Sequence, residues 1–279
     1  ININHFKEWV IHSPNVLIMG ILNVTPDSFS DGGKYVDAKI AIDHALEMID
    51  NGADIIDIGG ESTRPGSEPV SKNDECNRII PVIESIKKNN SEILISVDTY
   101  KSYVAKRAVD AGADLVNDIS GLTFDPNMLS YLSGKGIPVI LMHINGRPKT
   151  MQNNPVYDDL IKDIRNFFLK QCNIAKENGI KKNHIILDPG IGFGKSFEHN
   201  FTVIRRLNEI CDLGYPVMIG PSRKAFIGDT LGLPLNERIE GTLATVVAGI
   251  MNGAKIVRVH DIKEVKRAVK VTEKILASA

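Results

Sequence analysis

Short unbroken runs of β-branched and other apolar residues recur along the chain, at 17–22, 55–58, 93–97, 115–117, 137–142, 185–187, 216–219 and 256–259. Runs of this kind, apolar throughout instead of alternating, predict parallel strands covered on both faces. Between them the spacing becomes helical: Ala38, Ile42, Ala45, Leu46 and Ile49 share one stripe, as do Ile164, Phe168, Cys172 and Ala175. Asn51-Gly52-Ala53-Asp54, Ala111-Gly112-Ala113-Asp114 and Asn252-Gly253-Ala254-Lys255 put glycine where a helix should stop, a position whose backbone glycine adopts without strain. Eight strand–helix units predict an α/β fold, a single (β/α)8 TIM barrel spanning residues 1–279, with a doubly wound open sheet as the competing architecture. No linker interrupts the units, and a short N-terminal extension, residues 1–15, is expected to close the barrel's lower end.

Connections that follow strands are long at 23–37, 60–72 and 143–155, whereas the glycine turns that lead into strands are tight. In a barrel this places the long loops over the C-terminal strand ends, where sites of this fold are built. The residues at those ends are Asn23, Asp57 with Glu61, Asp98, Asn117, His143, Asp188, Ser222 with Lys224, and Arg258 with His260. Singly, each has a bland reading, since Asn or Asp after a strand is usually a turn or a helix cap, and Asp98 and Asp261 are good candidates for one. A polar residue at nearly every tip is harder to explain that way, because a barrel gathers the tips into one mouth the width of a small ligand.

Two kinds of group meet there. Asp98, Asn117 and Asp188 are acceptors suited to a ring rich in N–H donors, such as an aminopyrimidinone edge, while Arg64, Lys224, Arg258 and His260 are donors suited to phosphate oxygens. His260 could equally be a satisfied histidine at a helix start. The run Gly190-Ile191-Gly192-Phe193-Gly194-Lys195-Ser196 ends like a P-loop, but Pro189 stands where its first glycine belongs, so it reads as a loop that lets Asp188 and Phe193 approach a planar ligand. No histidine pair has metal-ligand spacing. Any metal is expected to be Mg²⁺ carried mainly by a ligand's phosphates, with Asn23 as a protein oxygen.

Composition narrows the partners. With 33 Lys+Arg against 34 Asp+Glu the formal charge is −1, which offers no basic surface for nucleic acid. The apolar stretches are too short for a membrane span. Cys76, Cys172 and Cys211 form an odd set without zinc or redox spacing, and with no signal-peptide pattern at the N-terminus the expected compartment is the cytoplasm.

Taken in order, Met19-Gly20-Ile21-Leu22-Asn23-Val24-Thr25-Pro26-Asp27-Ser28-Phe29-Ser30-Asp31-Gly32-Gly33 and Gly60-Glu61-Ser62-Thr63-Arg64-Pro65-Gly66 closely resemble the dihydropteroate synthase family. Asp98-Thr99, Asn117-Asp118, Leu141-Met142-His143, Asp188 through Lys195, Ser222-Arg223-Lys224 and Arg258-Val259-His260 extend the resemblance over essentially the whole chain.

The resemblance implies the condensation of 6-hydroxymethyl-7,8-dihydropterin diphosphate with p-aminobenzoate to 7,8-dihydropteroate, with release of diphosphate, on the route to folate. It implies a pterin site of Asp98, Asn117, Met142, Asp188, Phe193 and Lys224, and a p-aminobenzoate site of Phe29, Thr63, Arg64, Pro65, Phe193, Ser222 and Lys224. The carboxylate of p-aminobenzoate would be received by Ser222 and the N-terminus of a helix beginning near Arg223. Asn23, Thr63, Arg258 and His260 would take the diphosphate, with Asn23 also reaching Mg²⁺, and Asp98, Lys224, Arg258 and His260 would be catalytic. The path would be SN1-like, with C–O cleavage ahead of attack by the unprotonated arylamine. Family resemblance also implies a homodimer packed through outer helices near the C-terminus, and it leaves Arg147 and Lys149 without a role. Two other readings keep the ring site: a pterin-dependent methyltransferase on the same barrel, which would not need a diphosphate grip, and a catalytically silent pterin-binding protein.

Overall fold

A computed structural model describes residues 2–13, 15–25 and 34–278, with backbone alone at 34–37. The strands are β1 (Leu17–Asn23), β2 (Ile55–Gly59), β3 (Leu94–Asp98), β4 (Leu115–Asp118), β5 (Val139–Met142), β6 (Ile185–Asp188), β7 (Met218–Ile219) and β8 (Ile256–Val259). They are parallel, in the order β6-β5-β4-β3-β2-β1-β8-β7, and the bridge Leu187↔Val217 joins β6 to the β7 edge, so that the sheet curls into a nearly closed barrel. The helices are α1 (Ile3–His12), α2 (Lys34–Asp50), α3 (Lys72–Asn89), α4 (Ser102–Asp110), α5 (Pro126–Leu132), α6 (Leu160–Glu177), α7 (Phe197–Arg205), α8 (Leu207–Cys211), α9 (Ala225–Leu231), α10 (Ile239–Met251) and α11 (Ile262–Leu276).

The (β/α)8 expectation holds, with each of the eight apolar runs becoming a strand. Strands β5 and β7 start two residues later than the runs at 137 and 216 suggest. Pro138 and Pro216 explain the difference: each accepts a bond through its carbonyl, from Val116 and Leu187, but has no N–H to continue a ladder. Gly52, Gly112 and Gly253 take positive φ of 98°, 116° and 105°, as the helix-stop reading requires. The stripe of α2 is rotated slightly from the expected one, since its buried residues are Ala41, Ala45 and Met48. Met48 Sδ lies 2.8 Å from where a Cβ on Gly20 would stand, so the helix settles into the gap that glycine leaves in β1.

Outward-facing strand residues, among them Ile18, Ile56, Ile58, Ile95, Val97, Leu141 and Val257, pack with the helices into the main core. Inward-facing Leu17, Met19, Ile55, Leu94, Leu115, Ile140, Ile186, Met218 and Ile256 form a second core with Phe6, Trp9 and Val10 of α1. The N-terminal segment thus closes the lower end as expected. Two residues further along several strands, on the same inward face, the chemistry changes to Asp57, Ser96, Asn117, Asp188 and Arg258. The barrel is an apolar plug below and a polar well above.

Candidate active site

The floor of the well is a hydrogen-bonded group from four strands. Arg258 Nε donates to Asp57 Oδ2 at 2.6 Å, its Nη2 donates to Asp98 Oδ2 at 2.7 Å, and Asn117 Nδ2 donates to the same Asp57 oxygen at 3.1 Å. Asp57 is completely buried. Burial works against the Arg258 charge, but Asp57 and Asp98 outweigh it and hold the guanidinium above its ordinary value. Burial raises the Asp98 carboxyl to about 7, with Arg258 opposing and Asp57 adding to the rise. Four buried acceptor or hydroxyl atoms in this layer, Asp57 Oδ1, Ser96 Oγ, Asp98 Oδ1 and Asn117 Oδ1, have no protein partner. Unpartnered buried polar atoms cost about 1–3 kcal/mol each, and a layer of them beneath an opening is the signature of a polar ligand.

Above this layer lies a pocket lined by Thr63, Asp98, Asn117, Ile119, Met142, Asp188, Ile191, Phe193, Gly220, Lys224 and Arg258. Ile119 and Met142 cluster with Tyr100, Phe124 and Phe193 as its apolar side. Asp188 Oδ1 accepts the Gly190 amide at 2.8 Å, and burial raises its pKa to about 6 against that bond and the charges of Arg258, Lys224 and Lys195. Lys224 Nζ stands 4.2 Å from the Phe193 ring centroid, and burial, with Arg258 beside it, lowers the ammonium to about 8 although Asp188 and Asp98 favour its charge.

Gly190 is what lets this loop sit so close. Its φ is +70°, and a Cβ there would fall 2.0 Å from the His143 carbonyl oxygen. His143 itself faces away from the pocket, its Nδ1 lying 3.1 Å from Lys195 Nζ. Lys195 is 1% exposed, and burial lowers it to about 7.

Of the residues expected in the site, Thr63, Asp98, Asn117, Met142, Asp188, Phe193, Lys224 and Arg258 line the pocket. Asn23 stands at the tip of β1, half-buried, and Arg64 and Pro65 are exposed on the loop after β2. Phe29 lies outside the described residues. Ser222 and His260 form a pair beyond the pocket lining: Ser222 Oγ lies 2.9 Å from His260 Nδ1 and accepts the His260 amide at 3.2 Å.

Several expectations need correction. The helix expected near Arg223 starts at Ala225, and Arg223 takes φ +57°, with its amide donated to Thr242 Oγ1 at 3.1 Å, so that amide is already taken. The Ser222 hydroxyl is likewise engaged by His260. Asp261 makes no capping bond to α11 because its carboxylate pairs with the Arg223 guanidinium, and Asp98 is no cap because Arg258 claims it. Arg147 and Lys149 do make contacts: Arg147 stacks 4.1 Å from the Phe124 centroid, and Lys149 meets Glu68 at 2.6 Å, an exposed pair of small energetic weight.

Missed altogether were the lining of Ile119, Ile191 and Gly220, and the structural weight of Asp57 and Ser96. Asp57 had a readable signal, since a carboxylate inside Ile55-Ile56-Asp57-Ile58, in step with inward Ile55, must face the barrel axis.

The sequence matches the pterin binding enzyme family over residues 19–260. The dihydropteroate synthase of Clostridium beijerinckii is 52% identical over 261 residues, which cover 93% of this chain and 94% of that one. The structure of the Clostridium difficile dihydropteroate synthase, solved with pteroic acid, superposes with a TM-score of 0.89 at 49% identity, covering 94% of this chain and 97% of that one. That of Xanthomonas albilineans in complex with 7,8-dihydropteroate gives 0.86 at 36% identity, with 95% of each chain covered. A barrel with a polar well at its C-terminal strand ends, and whose sequence keeps this likeness nearly end to end, belongs to the pterin-binding enzymes and among them to the dihydropteroate synthases, transferases of folate biosynthesis.

Proposed function

We propose that the well holds the pterin ring of 6-hydroxymethyl-7,8-dihydropterin diphosphate by its nitrogen-rich edge and that p-aminobenzoate enters from the loop side. The observation that carries this reading is the set of acceptors left without partners in a buried layer, Asn117 Oδ1 and Asp98 Oδ1, beside Asp188. A ring edge of N–H and NH₂ donors satisfies them, and rings lacking those donors are rejected because the acceptors stay unpaired. Lys224, held over Phe193, completes a flat slot for the ring and for the arylamine that approaches it.

Chemistry then follows from charge. C–O cleavage leaves positive charge on the pterin methylene, which the Asp98 carboxylate stabilises more in the transition state than in the substrate. Arg258 uses Nε and Nη2 on Asp57 and Asp98, and its Nη1 is the donor that meets the departing diphosphate. His260 acts as a neutral hydrogen-bonding group: burial, together with Arg223 and Arg258, lowers its pKa to about 3. Because Ser222 Oγ already accepts the His260 amide, its hydroxyl proton can point at Nδ1, and Nε2–H is then the donor facing the diphosphate. The arylamine of p-aminobenzoate is neutral at physiological pH, so attack on the cation needs no strong base.

Among the described residues no group of three or more His, Cys, Asp or Glu is placed to hold a metal. Asn23, half-buried at the tip of β1, would offer one neutral oxygen to Mg²⁺ arriving on the diphosphate. Bound there, the ion would add charge stabilisation on the leaving group.

A homodimer is part of the same reading, supported by the groove between α7 and α10 that Phe201, Ile204, Ala244, Thr245 and Ala248 line. The cysteines, all free, suit a reducing cytoplasm, and no helix among the described residues is long and apolar enough to cross a membrane. Incubation with the pterin diphosphate, Mg²⁺ and p-aminobenzoate should release diphosphate and form dihydropteroate in equal amounts. Pterin binding without turnover would leave only a silent binder.

A further inference from the structure

The loop joining β2 to α3, residues 60–71, carries Thr63 into the pocket, yet none of residues 61–71 belongs to the apolar core. Its base is held instead by a largely buried charged cluster. Lys101 Nζ donates to Glu61 Oε2 at 2.5 Å, to Glu75 Oε2 at 2.5 Å and to the Val70 carbonyl at 2.8 Å. Glu61 Oε2 accepts the Val70 amide at 2.7 Å, and Tyr100 Oη donates to Glu61 Oε1 at 2.9 Å. Both ends of the loop therefore meet at one ammonium, and Arg78 Nη1 fixes Gly60 through its carbonyl at 2.7 Å.

The bonds that lead from Lys101 to the pterin wall run through its backbone and not its ammonium, so they survive a change of side chain. Lys101 follows Asp98 by one turn of chain, its amide donates to Thr99 Oγ1 at 3.2 Å, and the Thr99 amide donates to the Asn117 carbonyl at 3.1 Å. Glu75 is 1% exposed, and burial raises its pKa against the pull of Lys101. Burying two carboxylates around one ammonium is an expensive way to stabilise a fold, because apolar groups of the same volume serve as well or better. What such a cluster supplies is a fixed position for the backbone it binds.

We infer that Lys101, Glu61 and Glu75 are positioning residues that set the loop of Thr63, Arg64 and Pro65 over the mouth and thereby fix the affinity for p-aminobenzoate, the pterin site being left unaffected. The inference rests on the proposed entry of p-aminobenzoate from this loop. Two variants test it: Lys101→Met, and the triple variant Glu61→Gln, Lys101→Met, Glu75→Gln, which removes all three charges at constant size and keeps the fold if Lys101→Met alone does not.

Steady-state rates and amide exchange are measured on both. The KM for p-aminobenzoate should rise at least about tenfold while the Kd for the pterin lacking its diphosphate, which does not need Thr63, stays within about twofold. Exchange at 62–70 should quicken with 188–196 unchanged, and Lys101→Arg should recover part of the KM. Wild-type exchange at 62–70, a wild-type KM, or a parallel loss of affinity for that pterin would each overturn the inference. A wild-type chain that makes no dihydropteroate would remove the functional reading instead, and the exchange data would still decide whether the cluster holds the loop.

Discussion

Arg258 gives Nε and Nη2 to Asp57 and Asp98 before any ligand arrives, so in the proposed complex its remaining donors would already be aimed at the diphosphate. Removing one partner leaves a buried charge half-compensated. Asp57→Ala should destabilise the protein by about 3–5 kcal/mol, read from urea unfolding, and should weaken pterin binding because Asn117 loses the acceptor for its Nδ2. An unchanged pterin Kd in that variant would disconnect the floor from the ring site.

Proton binding at Asp188 makes a second case. Its carboxyl is raised from 3.8 to about 6, so the folded chain binds a proton more tightly than the unfolded chain, and its contribution to unliganded stability falls as pH rises through that window. In the proposed complex only the charged form would accept two ring donors. Pterin affinity should therefore drop below about pH 6, by up to about tenfold per pH unit, in calorimetric titrations. Asp188→Asn should remove the step near pH 6 from both profiles and leave the one that Asp98 sets near 7.

At the scale of elements, the helix α1 is a floor and not a decoration, since Phe6 and Trp9 stack at 5.6 Å against the inward residues of the strands. Phe6→Ala should cost about 3–5 kcal/mol in urea unfolding followed by the fluorescence of Trp9, the chain's one tryptophan, with KM values unchanged because the plug lies below the well. A shifted KM at normal stability would show the floor reaching the site. Strands, helices and this plug were legible in the sequence because burial on both faces writes itself as apolar runs, and helix ends as glycine.

The acceptors of the well were legible for a related reason: turns and caps account poorly for a polar residue closing an apolar strand when eight such ends converge. What could not be read was pairing between residues far apart in the chain. Nothing local in Arg223 or Asp261 announces that they join across 38 positions and so deny the cap expected of Asp261. Lys195 looked like a motif residue, but its ammonium is buried against His143, a contact set by how two loops fold over each other.

For the whole molecule, the pocket and the groove between α7 and α10 share no lining residue, so catalysis and assembly are expected to be separable. The groove between α7 and α10 is apolar and open, with Phe201 47% and Met251 57% exposed on the same helices, an arrangement that a second copy would cover at little entropic cost because both walls are helices. In the proposed homodimer a twofold contact would bring each groove against its own copy, and a single charge would therefore act twice. Ala248→Arg should convert a particle of twice the 30.6 kDa chain mass into a monomer in light scattering. Its kcat and both KM values should remain within about twofold of the parent, since neither the polar well nor the loop at 60–71 touches that face. A variant that stays dimeric would move the interface elsewhere, and one that turns monomeric with loss of turnover would mean that assembly holds the mouth in shape.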